Sequence, residues 1–211
     1  LISSLALTLA VTLAPGAVAN DFFVNPLTGT DAPGSGLNLT RPAKTLSYAS
    51  TLANPTDTIF LSAGLYDTAS GETFPIVLPP GVHLEGAGEG LTTIQSAFAG
   101  QQIDSMIEID AATGMPANKL RNLTLSQPNG LPTALVMTSH AIDAEACTFE
   151  GSFIGLMFEG WDDTAVDSIR VVNCTFAGQL ELAMEAVLVP DATNRGSLEF
   201  TGNTVSQVMA I

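Results

Sequence analysis

From about residue 67 onward the chain reads as short alternating apolar and polar runs, FPIVL, VHLEG, TTIQS, MIEID, ALVMTS, GLMFEG and others, punctuated by Gly, Asn and Asp. Such runs predict β-strands joined by turns, and no helical period interrupts them. Four octets align without gaps: Asn118–Leu125, Ile142–Phe149, Ile169–Phe176 and Leu198–Val205. Their shared threonines, Thr124, Thr148, Thr175 and Thr204, recur after 24, 27 and 29 residues, the length of one coil of a solenoid. Leu123 and Leu125, Cys147 and Phe149, and Cys174 and Phe176 alternate with those threonines, so the apolar set points inward and Thr outward. The predicted fold is all-β: a right-handed parallel β-helix.

Two further columns carry information. Asn122 and Asn173 fall where the strand must bend, and Asn tolerates the left-handed conformation and can bond neighbouring backbone. The fourth octet departs, with Gly202 in the Asn column and Asn203 in the Cys column; a slip of one residue there would restore the Asn. Lys119, Asp143, Arg170 and Glu199 share a column in which the sign of charge alternates. Stacked about 4.8 Å apart, they predict a ladder of opposite-charge neighbours. Arg121 stands beside Glu145 in the next column.

The segment before these coils has a different pattern. DFFVN is a short strand, NPLTGTDAPGSG a loop, and residues 45–53 a short helix with Thr45 as N-cap and Leu46, Ala49, Leu52 and Ala53 as its apolar stripe. TIFLSAGLY returns to a strand with Ile59 and Leu61 on one face. A parallel solenoid exposes strand edges and an apolar core at its ends, and this helix is placed to cover the first. No equivalent cover is legible at Val208–Ile211, so the sequence reads as a fragment with more coils to follow.

Residues 1–19 carry no charge and contain the apolar run LALTLAVTLA, then Pro15, Gly16 and the small triplet Ala17-Val18-Ala19. That is the apolar region and cleavage site of a secretory leader whose basic start is missing; the run is too short to span a bilayer. The expected organisation is a cleaved leader over 1–19, a cap and first strand over 20–66, and coils over 67–211. The expected location is exported: extracellular, cell surface or periplasm, with no membrane span in the mature chain. The 21 acidic against 6 basic residues give a net charge of −15, which repels phosphate backbones and excludes nucleic acid as a partner. It also repels polyuronates unless a divalent cation bridges the two.

The segment from Asp21 to Tyr66 resembles the opening of many secreted β-helix proteins, in Val24, Gly29-Thr30-Asp31, Pro42-Ala43-Lys44-Thr45, Asp57-Thr58-Ile59 and Gly64-Leu65-Tyr66. Gly71-Glu72-Thr73-Phe74-Pro75-Ile76 followed by Pro80-Gly81-Val82 resembles the bacterial domain of unknown function 1565, within the pectin-lyase-like superfamily. Pro55 replaces the Gly that commonly precedes the Asp-Thr-Ile strand. The resemblance covers residues 21–126. It implies the fold and export, and carries over no catalytic residue.

Candidate chemistry is sparse. β-Helix lyases use a Lys or Arg base, but Arg41 and Lys44 lie at the helix start and Lys119 and Arg170 in the ladder, leaving Arg121 and Arg195. Hydrolases need paired carboxylates, and Glu159, Asp162 and Asp163 surround the single tryptophan, Trp161, after an apolar strand. An aromatic face beside acids suits a sugar ring, which makes these four the ligand-contact candidates. Asp162 and Asp163, and Asp31 in its Gly-rich loop, are candidates for holding Ca²⁺, a cation that takes six to eight oxygens. His83 is expected to point outward beside Glu85, and His140 to sit in a turn. Cys147 and Cys174 read as stacked reduced core thiols, with a disulfide between them as the alternative in an exported protein. The functional expectation is an exported β-helix that binds an extracellular polysaccharide or cell-surface glycan, or serves as an adhesion scaffold. The alternative is a polysaccharide lyase or glycoside hydrolase.

Overall fold

The computed structural model describes residues 18–96, 105–110, 112, 114–128, 134–160, 168–179, 181–188 and 197–206. In chain order the elements are β1 (Asp21–Val24), α1 (Leu46–Ser50), β2 (Thr58–Leu61), β3 (Gly64–Tyr66), β4 (Ile76–Val77), β5 (His83–Gly86), β6 (Thr92–Gln95), β7 (Ser105–Ile109) and β8 (Asn118–Gln127). They continue as β9 (Ala134–Thr138), β10 (Ile142–Gly151), β11 (Ile154–Gly160), β12 (Ser168–Val172), β13 (Thr175–Ala177), β14 (Leu182–Leu188), β15 (Ser197–Thr201) and β16 (Thr204–Ser206).

Every pairing among the described strands is parallel, and they form a parallel β-helix. One long sheet runs β1-β2-β5-β8-β10-β12-β15, with β3, β6, β13 and β16 beside this path; a second runs β4-β7-β9-β11-β14. The octet register holds throughout: Thr124, Thr148, Thr175 and Thr204 are successive partners. The fourth octet is not slipped, since Arg170 pairs with Glu199 and Thr175 with Thr204. The structure adds Thr93, partner of Thr124. Octet alignment misses it because the loop between β5 and β6 divides that coil.

Alternation explains the core. Ile59, Leu84, Leu120, Ala144 and Val171 form one buried inward row, and Tyr66, Ile94, Leu125, Phe149 and Phe176 another. The Phe149 and Phe176 rings stack with centroids 4.7 Å apart and 5° between planes. Cys147 and Cys174 are buried free thiols, and each donates to backbone carbonyls, Cys147 to Leu120 at 3.3 Å and Cys174 to Val172 at 3.5 Å. The Cys174 sulfur and burial push the Cys147 thiol well above its ordinary value, as befits a core group rather than a nucleophile.

Asn122 (φ 56°) and Asn173 (φ 54°) adopt the left-handed conformation expected at the bend, joined in the column by Gly202 (φ 69°) and by Ala146 (φ 52°). The Asn122 side chain donates to Glu85 Oε1 at 2.6 Å rather than to backbone. Backbone bonding falls instead to Asn203 in the Cys column, which accepts from Cys174 N (2.7 Å) and donates to Val171 O (2.9 Å). Ala146 has no polar side chain whose bonds could recover the cost of its conformation, about 1–2 kcal/mol for an L-residue. Ala146→Gly is expected to raise stability by about 0.5–1 kcal/mol after allowing for the greater freedom of unfolded Gly. A thermal midpoint that falls or does not move would show that this bend is not under strain.

Helix α1 lies against β1, β2 and β4 with Leu46 and Ala49 buried. It ends at Ser50, shorter than the apolar stripe predicts, and Leu52 is left exposed. The loop before it covers the β1 edge as well: Phe23 N donates to Gly36 O and Ala43 N to Phe23 O, at 2.7 and 2.9 Å. No helix among the described residues is long and apolar enough to cross a membrane.

Candidate functional site: the outward face of the long sheet

The pleat that buries Ile59, Leu84 and Leu120 turns their neighbours outward. Two adjacent outward rows result. One runs Asp21, Thr58, His83, Lys119, Asp143, Arg170, Glu199; the other runs Phe23, Phe60, Glu85, Arg121, Glu145, Val172, Thr201. His83 points outward beside Glu85, as its alternation implies.

The charge ladder exists with one member changed. Lys119 stands in register with Asp143 but makes no ion pair among the described residues. Arg121 takes Asp143 at 3.0 Å and also pairs with Glu145, while Arg170 takes Asp143 at 2.7 Å, Glu145 at 3.3 Å and Glu199 at 3.3 Å. The forked guanidinium spans both rows, which a single ammonium does not. The Arg121 and Arg170 bonds hold the Glu145 carboxyl below its ordinary value, and Asp143 with Glu145 holds Arg170 above. Two arginines and three acids thus form one network, leaving Lys119 beside His83 as a cation without a partner acid among the described residues. Burial, then the Lys119 charge, lowers the His83 pKa below 6.5, so the ring is neutral at neutral pH.

At the other end of the same face Phe23 and Phe60 stack, with centroids 5.5 Å apart and planes at 16°. Both rings are half-buried. The face therefore passes from an aromatic step, through His83, Glu85 and Lys119, to the fixed ion network.

The residues singled out in the sequence fall elsewhere. Glu159 lies in β11, its backbone in register with Val187; its side chain, and Trp161, Asp162 and Asp163, lie outside the described residues. Asp31 is occupied as a structural group: its carboxylate accepts from Lys44 N (2.8 Å), Thr45 N (3.1 Å) and Thr45 Oγ1 (2.8 Å). No group of three potential metal ligands occurs among the described residues. His140 sits in a turn but buried, its ring bonded to Pro116 O at 2.9 Å.

Residues 27–139, more than half of the chain, match the family described as protein of unknown function DUF1565. The chain belongs to the DUF1565 family. Among solved structures it is similar to a mutant of the PL6-family alginate lyase AlyGC, at 16% identity and a TM-score of 0.57 over 96% of this chain and 26% of that one. A pectin methylesterase, PemA from Erwinia chrysanthemi, aligns at 13% identity and a TM-score of 0.48 over 80% of this chain and 54% of the other. The DUF1565 chain thus spans about a quarter of the lyase and about half of the esterase. No curated protein matches its sequence.

The structure gives the DUF1565 segments physical roles. The Gly29-Thr30-Asp31 loop and the Pro-x-Lys-Thr helix start meet through Asp31. A Cβ on Gly29 would overlap the Ala43 carbonyl, so only Gly fits there. Glu72 reaches back to α1, accepting from Leu46 N (2.6 Å), Ser47 N (2.9 Å) and Ser47 Oγ (2.6 Å). Two acids thus satisfy the free N–H groups at the start of one short helix. Sequence reading missed Glu72; its partners lie 25 and 26 residues upstream, beyond any local capping pattern.

Proposed function

We propose that this protein is an exported glycan-binding β-helix whose contact surface is the outward face of the long sheet, over Phe23, Phe60, His83, Glu85 and Lys119. The observation that carries this reading is the continuity of one flat face. It joins a stacked aromatic pair to Lys119, which has no ion-pair partner among the described residues, in rungs about 4.8 Å apart, close to the length of one pyranose residue. Aromatic faces bury the C–H side of a sugar, and flanking charged groups take its hydroxyls or carboxylate. The leader-like residues 1–19 support export, and the fold shared with an alginate lyase supports a polysaccharide partner.

The expected result is measurable binding of alginate or pectin oligosaccharides to the full mature chain by calorimetry. Phe60→Ala weakens it about tenfold, the equivalent of about 1.4 kcal/mol, with little change in thermal midpoint. Lys119→Ala weakens binding of acidic oligosaccharides while sparing neutral ones. Binding that survives both substitutions would move the contact surface elsewhere; the Glu159 and Trp161–Asp163 segment is then the next to test, with and without Ca²⁺.

One observation favours a second reading, a polysaccharide lyase. A neutral His83 beside an uncompensated Lys119 pairs a proton acceptor with a cation able to hold a uronate carboxylate. Release of unsaturated, ultraviolet-absorbing product, lost in His83→Ala, would establish it over simple binding.

A further inference from the structure

Asp57, in the turn before β2, is 1% exposed. Its Oδ1 accepts from Asn20 N at 2.7 Å and Asn20 Nδ2 at 3.2 Å, and its Oδ2 accepts from Asn54 N at 2.8 Å. It has no cationic partner among the described residues. A buried carboxylate ordinarily pairs with an opposite charge, and here three neutral donors stand in its place. Asn20 is held from its other side too, since Thr58 N donates to Asn20 O at 2.9 Å. Immediately upstream this anchoring stops: Val18 is 82% exposed, and Ala17-Val18-Ala19 is the small-residue triplet of a leader cleavage site. Among the described residues, the first one gripped by the fold is therefore the first that cleavage would leave.

We infer that hydrolysis of the Ala19–Asn20 bond supplies the missing counter-charge: the new α-ammonium of Asn20 becomes the ion-pair partner of Asp57. A leader peptidase adds one water across that bond. The hydroxyl goes to the Ala19 carbonyl, which leaves as a carboxylate; the hydrogen stays on the Asn20 nitrogen, which takes up one further proton at neutral pH. The nitrogen need not move, because 2.7 Å is already the length of a charge-assisted N–H···O bond. An adjoining cavity of about 670 Å³, lined in part by Thr56, Met115 and Pro116 and opened further by the loss of Val18, lets water reach the remaining ammonium hydrogens. The mature fold is in this way more stable than the leader-bearing one, and export is coupled to final locking of the first coil. The inference rests on residues 1–19 being a leader and is independent of the glycan reading.

A nearby carboxylate raises the α-amine above its ordinary value of about 7.7–8.0. The added stability is full below that value and is lost as pH rises through the raised one. The other charged or titrating groups on the packed strands are Asp21 on β1, His83 and Glu85 on β5, and Lys119 and Arg121 on β8. They are common to every form compared below and cancel.

The test uses the full chain with three defined N-termini: free Asn20, Nα-acetylated Asn20, and a form extended through Val18-Ala19. Free Asn20 is expected to melt about 4–8 °C above the other two at pH 7. The gap closes above about pH 9, and it vanishes in Asp57→Asn. If Asp57→Asn does not fold, the three termini compared across pH still decide. Equal midpoints at pH 7, or a gap that persists at high pH or in the folded Asp57→Asn form, overturn the ion pair. The intact mass of the exported protein tests the processing itself: a mature chain beginning at Asn20 supports it, and any other start overturns it even where the pair is stabilising.

Discussion

Phe149→Ala is expected to cost about 3–5 kcal/mol and to lower the thermal midpoint by about 10 °C. The ring is fully buried within the row Tyr66, Ile94, Leu125, Phe149, Phe176, between Leu125 and Phe176. It stacks on Phe176 at 4.7 Å, so truncation removes transfer free energy and an aromatic contact and leaves a cavity between rigid rungs. In a solenoid each coil touches only its neighbours, so the damage stays local. Hydrogen exchange should rise on β8, β10 and β13 while β1 and α1 keep their protection. Uniform loss across all coils, or loss below about 1 kcal/mol, would mean that the row is not the continuous stack the register describes.

Glu72→Ala is expected to cost about 2–4 kcal/mol, because Leu46 N, Ser47 N and Ser47 Oγ lose their acceptor together. The helix start that covers the first coils then keeps Asp31 and the Thr45 cap but loses its tie to the Glu72 turn. The charge of Glu72 has an opposite, pH-dependent effect. Burial raises its pKa against the Ser47 and Leu46 bonds that favour the carboxylate, with the Asp31 charge adding to the rise. The native state therefore keeps the proton to higher pH than the unfolded chain does. Stability falls as pH climbs from about 4.5 through the raised folded value. Thermal scans of wild type against Glu72→Ala across that window should converge as pH rises; curves that diverge would reverse the sign and place the ionised form as the better bound.

Both predictions depend on features with very different visibility in the sequence. The Phe149 row was legible because alternation and a coil-length repeat are local patterns copied along one axis: once Thr124 aligns with Thr148 and Thr175, every inward neighbour aligns as well. The left-handed bend was legible at Asn122 and Asn173, where residue type announces backbone conformation, and invisible at Ala146, where it does not. Thr45 announced itself as a cap because its bond to Tyr48 N spans three residues. Glu72 did not, since its partners come from another coil. The candidate site shows the same division. His83 and Lys119 were placed outward by alternation, but Phe23 and Phe60 lie 37 positions apart and gave no sign of being stacked.

The sequence by itself determined the architecture, the register of the first three octets, the buried columns and the leader-like start, because each follows from short-range periodicity or composition. Only the tertiary structure decided which charges meet. Lys119 and Arg121 both border acids one coil along, and the choice went to Arg121 through the reach and fork of a guanidinium between two rows. It likewise decided that Asp31 and Glu72 serve one helix start, and that Asp57 lies buried against Asn20. These are contests among groups from different coils for the same partner, and their outcome depends on distances that no linear spacing encodes.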